Sequence, residues 1–215
     1  MTRVIAGAAR GRRLAVPRGT ATRPTSDRAR EGLFASVLSE LGSLDGKRVL
    51  DLYAGSGAVG LEALSRGAGH VLLVESDARA AAVIASNIAV VGIAGATVVS
   101  DRAERLLARP PDPRDRYDLA FADPPYAVTP AAVTRMLALL AAGWLADGAL
   151  AVVERATRSG PVEWPPGYLP GKSRRYGEAT FWYGWYGSGA VTVQAPETAP
   201  RPAHEVYEAH EAHEE

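Results

Sequence analysis

Two short stretches of this chain hold residue types that can do chemistry. The first is DLYAGSGAVG, residues 51–60, which follows an apolar run and opens a helical pattern. Glycines there let the backbone turn sharply and approach a ligand closely, and the helix N-terminus adds a favourable partial positive field. Glu75 lies 20 residues after Gly55, at the end of the next apolar run, where a carboxylate can accept from two ribose hydroxyls. The Gly55-x-Gly57-x-x-Gly60 spacing also satisfies the dinucleotide fingerprint. Asp51 tilts the reading: a carboxylate lining the pocket repels a pyrophosphate and suits a cation. S-adenosylmethionine, with a sulfonium, an ammonium and no phosphate, fits better. The bland reading is a tight strand–helix turn with no ligand.

The second stretch is Asp123, Pro124, Pro125 and Tyr126, at the C-terminal end of a predicted strand. Open parallel sheets bind ligands outside the carboxyl ends of their strands. Two prolines fix the backbone and remove two N–H groups, leaving carbonyls as the main-chain partners. The Asp123 carboxylate and Pro124 carbonyl can accept both protons of an exocyclic amine, and Tyr126 can stack on the attached ring. A nucleobase amine is a poor nucleophile because its lone pair is delocalised. Holding and aligning it is worth up to about 7–11 kcal/mol, so no strong base is required. A Pro-rich turn with no such task is the alternative.

The elements that must position these groups follow from periodicity. Residues 27–41 place Leu33, Phe34, Val37, Leu38 and Leu41 on one helical face, ended by Gly42. Strands are predicted at 47–53, 71–74, 97–99, 117–122 and 149–153. Helices are predicted at 58–65, from an Asp77 cap to a Gly92 stop, at 103–108, and from Thr129 and Pro130 through Leu140. This alternation predicts an α/β fold, a mostly parallel sheet with helices on both faces. Residues 164–171 are rich in Pro and Gly, while 178–186 are aromatic and β-prone and can close the sheet with antiparallel strands.

The 215 residues carry 24 Lys+Arg and 24 Asp+Glu, but the balance is uneven. Residues 1–30 hold eight Arg against one Asp, and residues 191–215 hold six Glu against Arg201. A basic arm on a neutral body points to an anionic polymer. Arginine bias, 22 Arg to two Lys, explains the choice of Arg but not its clustering. The absence of cysteine excludes disulfides, thiolate metal sites and a cysteine nucleophile. No apolar run approaches a membrane span and no signal-peptide core is visible, so the expected compartment is the cytoplasm. The expected organisation is a basic extension over 1–26, a catalytic domain over 27–188 and an acidic disordered tail over 189–215. The tail's His204, His210 and His213 are read as solvated rather than as a metal site.

Together, the glycine turn and the Asp-Pro-Pro-Tyr stretch resemble the class I, S-adenosylmethionine-dependent amino-methyltransferases of nucleic acids. The N-terminal patterns RVIAG (residues 3–7), RGRRL (10–14) and TRPTSDRARE (22–31) narrow the likeness to the bacterial 16S rRNA guanine-N2-methyltransferases of the small subunit. The resemblance covers about residues 1–186. It implies a seven-stranded Rossmann-like sheet with an N-terminal hairpin extension, no metal, and methyl transfer to the N2 amine of one guanine in 16S rRNA within the 30S subunit. It implies that Asp51, Tyr53, Gly55 and Gly57 shape the cofactor pocket and that Glu75 holds the ribose. Asp123 and Pro124 would hold the amine, Tyr126 would stack on the base, and the Arg-Pro-Thr segment would close over the site.

Asp101 either accepts from the adenine amine of the cofactor or caps a helix. Arg10, Arg12, Arg13, Arg18, Arg23, Thr25 and Arg28 are expected against RNA, the arginines on phosphates, with the guanine in a loop or flipped out. Lys172, Arg174 and Arg175 form either a second contact patch or a solvated loop. A monomer is expected, because a ribosomal substrate must reach the pocket. Competing readings are an adenine-N6 methyltransferase acting on DNA or another RNA, a nicotinamide-dependent oxidoreductase, and a non-catalytic RNA-binding protein.

Overall fold

The order of the main sheet turns at strand β3 (Arg48–Leu52), whose parallel neighbours are β4 (His70–Glu75) on one side and β6 (Tyr117–Ala122) on the other. In the computed structural model the full order is β5-β4-β3-β6-β7-β9-β8, with β5 at Ala96–Ser100, β7 at Leu145–Ala156, β8 at Tyr168–Tyr176 and β9 at Ala179–Tyr186. The first five strands are parallel, while β9 and β8 close the sheet antiparallel. A short hairpin, β1 (Thr2–Arg3) with β2 (Arg13–Leu14), precedes them. The structure describes residues 2–17 and 26–187. The Arg-Pro-Thr segment with Arg18, Arg23 and Thr25, and the acidic tail, lie outside the described residues.

Helices cover both faces. On one face, α1 (Asp27–Leu41), α2 (Ala58–Ser65) and α3 (Ala78–Val91) bury Phe34, Leu61 and Ile84 against Val49, Phe121 and Val152 of the sheet. On the other, α4 (Ala103–Leu107) and α5 (Pro130–Ala141) bury Leu107, Met136 and Leu137 against Leu50, Ala120 and Val153. Helix ends follow local chemistry. Ser26, Asp77 and Thr129 side chains accept first-turn N–H groups, and Gly92 stops α3 in the left-handed region.

Two elements depart from expectation. Strand β7 runs well beyond 149–153 at both ends, and β8 forms across the end of the Pro- and Gly-rich stretch and the Lys172, Arg174 and Arg175 patch, for which a solvated loop was one alternative. Pro170 is tolerated because β8 is an edge strand, and the β8–β9 register shifts between Pro170 and Ser173. The patch at Lys172, Arg174 and Arg175 therefore lies on a strand.

The extension is fastened to the helices. Glu62 of α2, fully buried, accepts from Ile5 N (2.7 Å) and Ala6 N (3.0 Å) and pairs with Arg66 (2.8 Å). Arg30, also fully buried, reaches the Arg3 carbonyl (2.5 Å) and Asp27 (3.0 Å) and lies 3.9 Å from Glu62. Burial pulls the Arg30 pKa down, with Glu62 and Asp27 opposing. A Cβ at Gly7 would lie 1.8 Å from the Ser65 carbonyl oxygen, so only glycine allows this seat.

Candidate active site

The turn after β3 builds a cradle around two carboxylates. Asp51 is 1% exposed, and its Oδ2 accepts from Gly60 N (2.8 Å), an N–H in the first turn of α2. Gly57, the residue before that helix, has no side chain to cap it, so the strand carboxylate takes the role. Burial, with Glu75 adding to it, pushes the Asp51 pKa up to about 7 against the helping Gly60 bond. Glu75 at the end of β4 accepts from Gly55 N (2.8 Å) and Asp77 N (2.9 Å), which fixes its carboxylate.

The three glycines do different work. A Cβ at Gly55 (φ +57°) meets nothing within 4 Å, so its backbone faces open space where a ligand can approach. Gly57 (φ +77°) supplies the left-handed turn. Gly60 is a packing glycine: an added Cβ would lie 2.9 Å from Leu73 and Val71 and 3.1 Å from Asp51 Oδ2. Tyr53 has φ +61°, the one positive value at a non-glycine among the described residues. Such backbone costs about 1–3 kcal/mol and persists where surroundings enforce it. Here the hydroxyl donates to Glu104 Oε1 (2.7 Å), and burial raises its pKa further above the usual phenol range.

Asp123 stands beside this cradle, its N–H 3.4 Å from the Leu52 carbonyl. Val49, Phe121 and Val152 lie in the core under α1 and α2. Side chains alternate along strands, so Asp51 and Glu154, each two residues further on, share that face, and the charges of both act on Asp123, the first residue past β6. Burial raises the Asp123 pKa well above the carboxylate norm; Glu154 and Asp51 add to the rise and Arg155 opposes it. Tyr126 is 62% exposed, and the Arg158 guanidinium sits 5.7 Å from its ring centroid. A large exposed aromatic ring can stack on another planar ring.

Other predicted residues fall further out. Asp101 follows β5, one strand beyond Glu75, accepting from Arg102 N (2.7 Å) and pairing with Arg105 (3.2 Å). The N-cap position of α4 belongs to Arg102, so the capping alternative for Asp101 is corrected. Arg12 is exposed, and its Nη1 donates to the carbonyls of Val90 and Val91, satisfying the C-terminus of α3. Arg10, Arg13 and Arg28 are exposed.

Sequence reasoning missed two positioning residues. Arg155, buried on β7, donates from Nη2 to the Val128 carbonyl (2.8 Å) and so holds the loop after Pro125. Asn87, buried on α3, accepts from Ala15 N (2.9 Å) and donates to the carbonyls of Ala15 (3.0 Å) and Ser56 (2.9 Å). It joins the extension to the glycine turn. A polar residue on the buried face of α3 was the only sequence signal for it.

The sheet order and a glycine turn beside an acidic strand end define a methyltransferase of Rossmann-like fold. The fold alone is shared with a precorrin-6y C5,15-methyltransferase from Geobacter metallireducens, at TM-score 0.58 and 18% identity over 81% of this chain and 94% of that one. A family model described as conserved hypothetical protein 95 matches residues 2–185. Ribosomal RNA small subunit methyltransferase D of Escherichia coli K12 is 39% identical over 169 residues, 75% of this chain and 80% of that protein. The solved structure of yhhF from Escherichia coli has a TM-score of 0.76 at 34% identity, covering 87% of this chain and 98% of that one. The chain belongs to this methyltransferase family.

Proposed function

We propose that this enzyme transfers a methyl group from S-adenosylmethionine to the exocyclic N2 amine of a specific guanine in 16S rRNA, within the 30S subunit. The observation that carries the reading is the juxtaposition of two carboxylate sites on adjacent strands: Asp51 with Glu75, and Asp123 with the exposed Tyr126. The relative in Escherichia coli, named as a ribosomal RNA small subunit methyltransferase, supports rRNA as the substrate.

The cradle's chemistry fits this cofactor. Asp51 and Glu75 place negative charge beside a helix N-terminus and an open glycine backbone, which suits a cation with a ribose and disfavours a pyrophosphate. Asp51 and the glycine turn would hold the cationic part and Glu75 the ribose hydroxyls. Bound there, S-adenosylmethionine supplies an electrophilic methyl carbon. The chain does the rest. Asp123 and the Pro124 carbonyl accept from the amine, and Tyr126 fixes the ring plane. Held this way, the guanine N2 would present its lone pair to the methyl group that the bound cofactor would supply, with sulfur as the leaving group. The surplus amine proton passes to Asp123, whose raised pKa suits it to receive one.

Arg10, Arg13 and Arg28 supply exposed cations for phosphates around the guanine, with Arg23 and Thr25 assigned to the same arm. Asp101 is assigned to the cofactor's adenine amine. The enzyme is assigned as a cytoplasmic monomer, with residues 1–26 as an RNA-contacting extension to the catalytic domain over 27–188. Among the described residues no helix is long and apolar enough to cross a membrane, and no cluster of His, Asp or Glu is grouped to hold a metal.

The test supplies labelled S-adenosylmethionine with unmodified 30S subunits, naked 16S rRNA and duplex DNA, followed by nucleoside identification by mass spectrometry. N2-methylguanosine, mainly from 30S subunits, is expected. N6-methyladenosine or its deoxy form would overturn the substrate, and absence of cofactor binding would overturn the reading itself.

A further inference from the structure

The mechanism above uses Asp123 and leaves a second carboxylate beside it without a task. Strands β6 and β7 pair in parallel up to Ala122 opposite Val153, so Asp123, the first residue past β6, and Glu154, the next residue of β7, follow neighbouring positions of that ladder. Glu154 follows the inward-packed Val152 by two positions on β7 and so stands on that core's face of the sheet, and Asp123 comes two residues after the inward-packed Phe121. The electrostatic influence of Glu154 on Asp123 agrees with that proximity. Arg155, the next residue, points to the opposite face and braces the Val128 carbonyl. The end of β7 thus offers a carboxylate on the Asp123 side and a structural cation behind it.

Two adjacent acceptors match a particular base edge. Guanine presents its N2 amine next to a protonated ring nitrogen, N1–H, so that edge is a row of donors. Adenine presents its N6 amine next to a bare N1 with a lone pair, which a carboxylate repels. A site that held only the amine would not separate these bases. A site built to hydrogen-bond a substrate group rejects an analogue lacking it far more strongly than a shape-matched pocket does.

We propose that Glu154 is the residue that selects guanine, accepting its N1–H while Asp123 and Pro124 hold the N2 amine. The inference rests on the guanine-N2 reading and deepens it. It assigns the choice of base to β7 and leaves attachment of the amine to the loop after β6.

The experiment first locates the guanine that the wild-type enzyme methylates. It then compares RNA carrying guanine at that position with RNA carrying 2-aminopurine, which keeps the N2 amine but has a bare N1. Wild-type enzyme should strongly prefer guanine. Glu154→Gln, whose amide can donate to a bare N1, should lose about 10- to 100-fold in kcat/KM on guanine RNA, as expected for one hydrogen bond to a charged group. It should lose little or nothing on 2-aminopurine RNA, so the preference falls by the same factor. Cofactor affinity and thermal midpoint should stay at wild-type values. If the variant transfers to neither RNA, equilibrium binding of the two RNAs reads the same ratio. Equal losses on both RNAs, in rate or in binding, would overturn the proposal and leave Glu154 a structural residue. A wild-type enzyme that methylates no guanine would instead remove the reading beneath it.

Discussion

The two halves of the sheet's carboxyl edge are built on opposite principles. On the β3–β4 side, Asp51 and Glu75 are locked by the backbone N–H groups of Gly60, Gly55 and Asp77. On the β6–β7 side, Asp123 and Glu154 crowd one another, Tyr126 stands in solvent, and the loop is braced from behind by Arg155. The first half is finished before any ligand arrives, as suits a small molecule of one shape. The second half is left for its substrate to complete. A stacked base would cover Tyr126, and an amine would spread the charge of Asp123. On the proposed function, preorganisation would be concentrated where the ligand is invariant, and exposure where a macromolecule must reach in.

The sharpest way to break this contrast is to remove Asp123. Asp123→Ala should lower single-turnover methyl transfer by about 10³-fold or more, within what alignment can supply, while RNA and cofactor still bind. Next in size is Gly60→Ala, which acts on the finished half. The new methyl group meets Val71, Leu73 and Asp51, and overpacking of this kind costs about 1–3 kcal/mol. Denaturant unfolding should show that loss, and cofactor affinity should weaken with it.

Protonation separates the halves more gently. Asp51 titrates at about 7 in the folded protein and near the usual carboxylate value when unfolded. Folding therefore favours its protonated form, and the free protein loses stability from this group as pH rises from about 4 through 7. A cationic cofactor needs the ionised form, so its affinity should rise roughly tenfold between pH 6 and 8 as Asp51 ionises, with proton release on binding. Calorimetry in buffers of different ionisation enthalpy reads both quantities. The smallest effect concerns the rim. Arg10→Ala should weaken RNA binding about equally for all sequences and reduce the salt slope by roughly 0.7–0.9.

The finished half was largely legible in the sequence, because it is local. The strand–glycine–helix order, the Asp77 cap and the Gly92 stop all depend on neighbours within a few residues, and Glu75 sits at a fixed remove along one βαβ unit. Asp123 and Tyr126 were also legible, since prolines mark the turn that carries them. The network around them was not. Arg155 to Val128, Asn87 to Ala15 and Ser56, and Glu62 to Ile5 and Ala6 join residues 27 to 72 positions apart. Charge counting could not show, for a related reason, which arginines also bond within the fold. Arg30 is buried, Arg12 closes a helix and Arg3 lies 3.6 Å from Asp27, so three of the N-terminal arginines serve the fold. Strand β8 was hidden because its basic and Pro-Gly content breaks the alternation that marks a half-buried strand.

The division of labour is tested most directly by cofactor-binding isotherms for Asp51→Asn and Asp123→Ala, measured side by side at pH 8. Asp51→Asn, which removes the buried charge but keeps its shape, should weaken S-adenosylmethionine binding by about 10- to 100-fold. Asp123→Ala should bind the cofactor much as wild type does while transferring no methyl to 30S subunits. Equal losses of cofactor affinity in the two variants would contradict the account, because the two carboxylates would then form a single site.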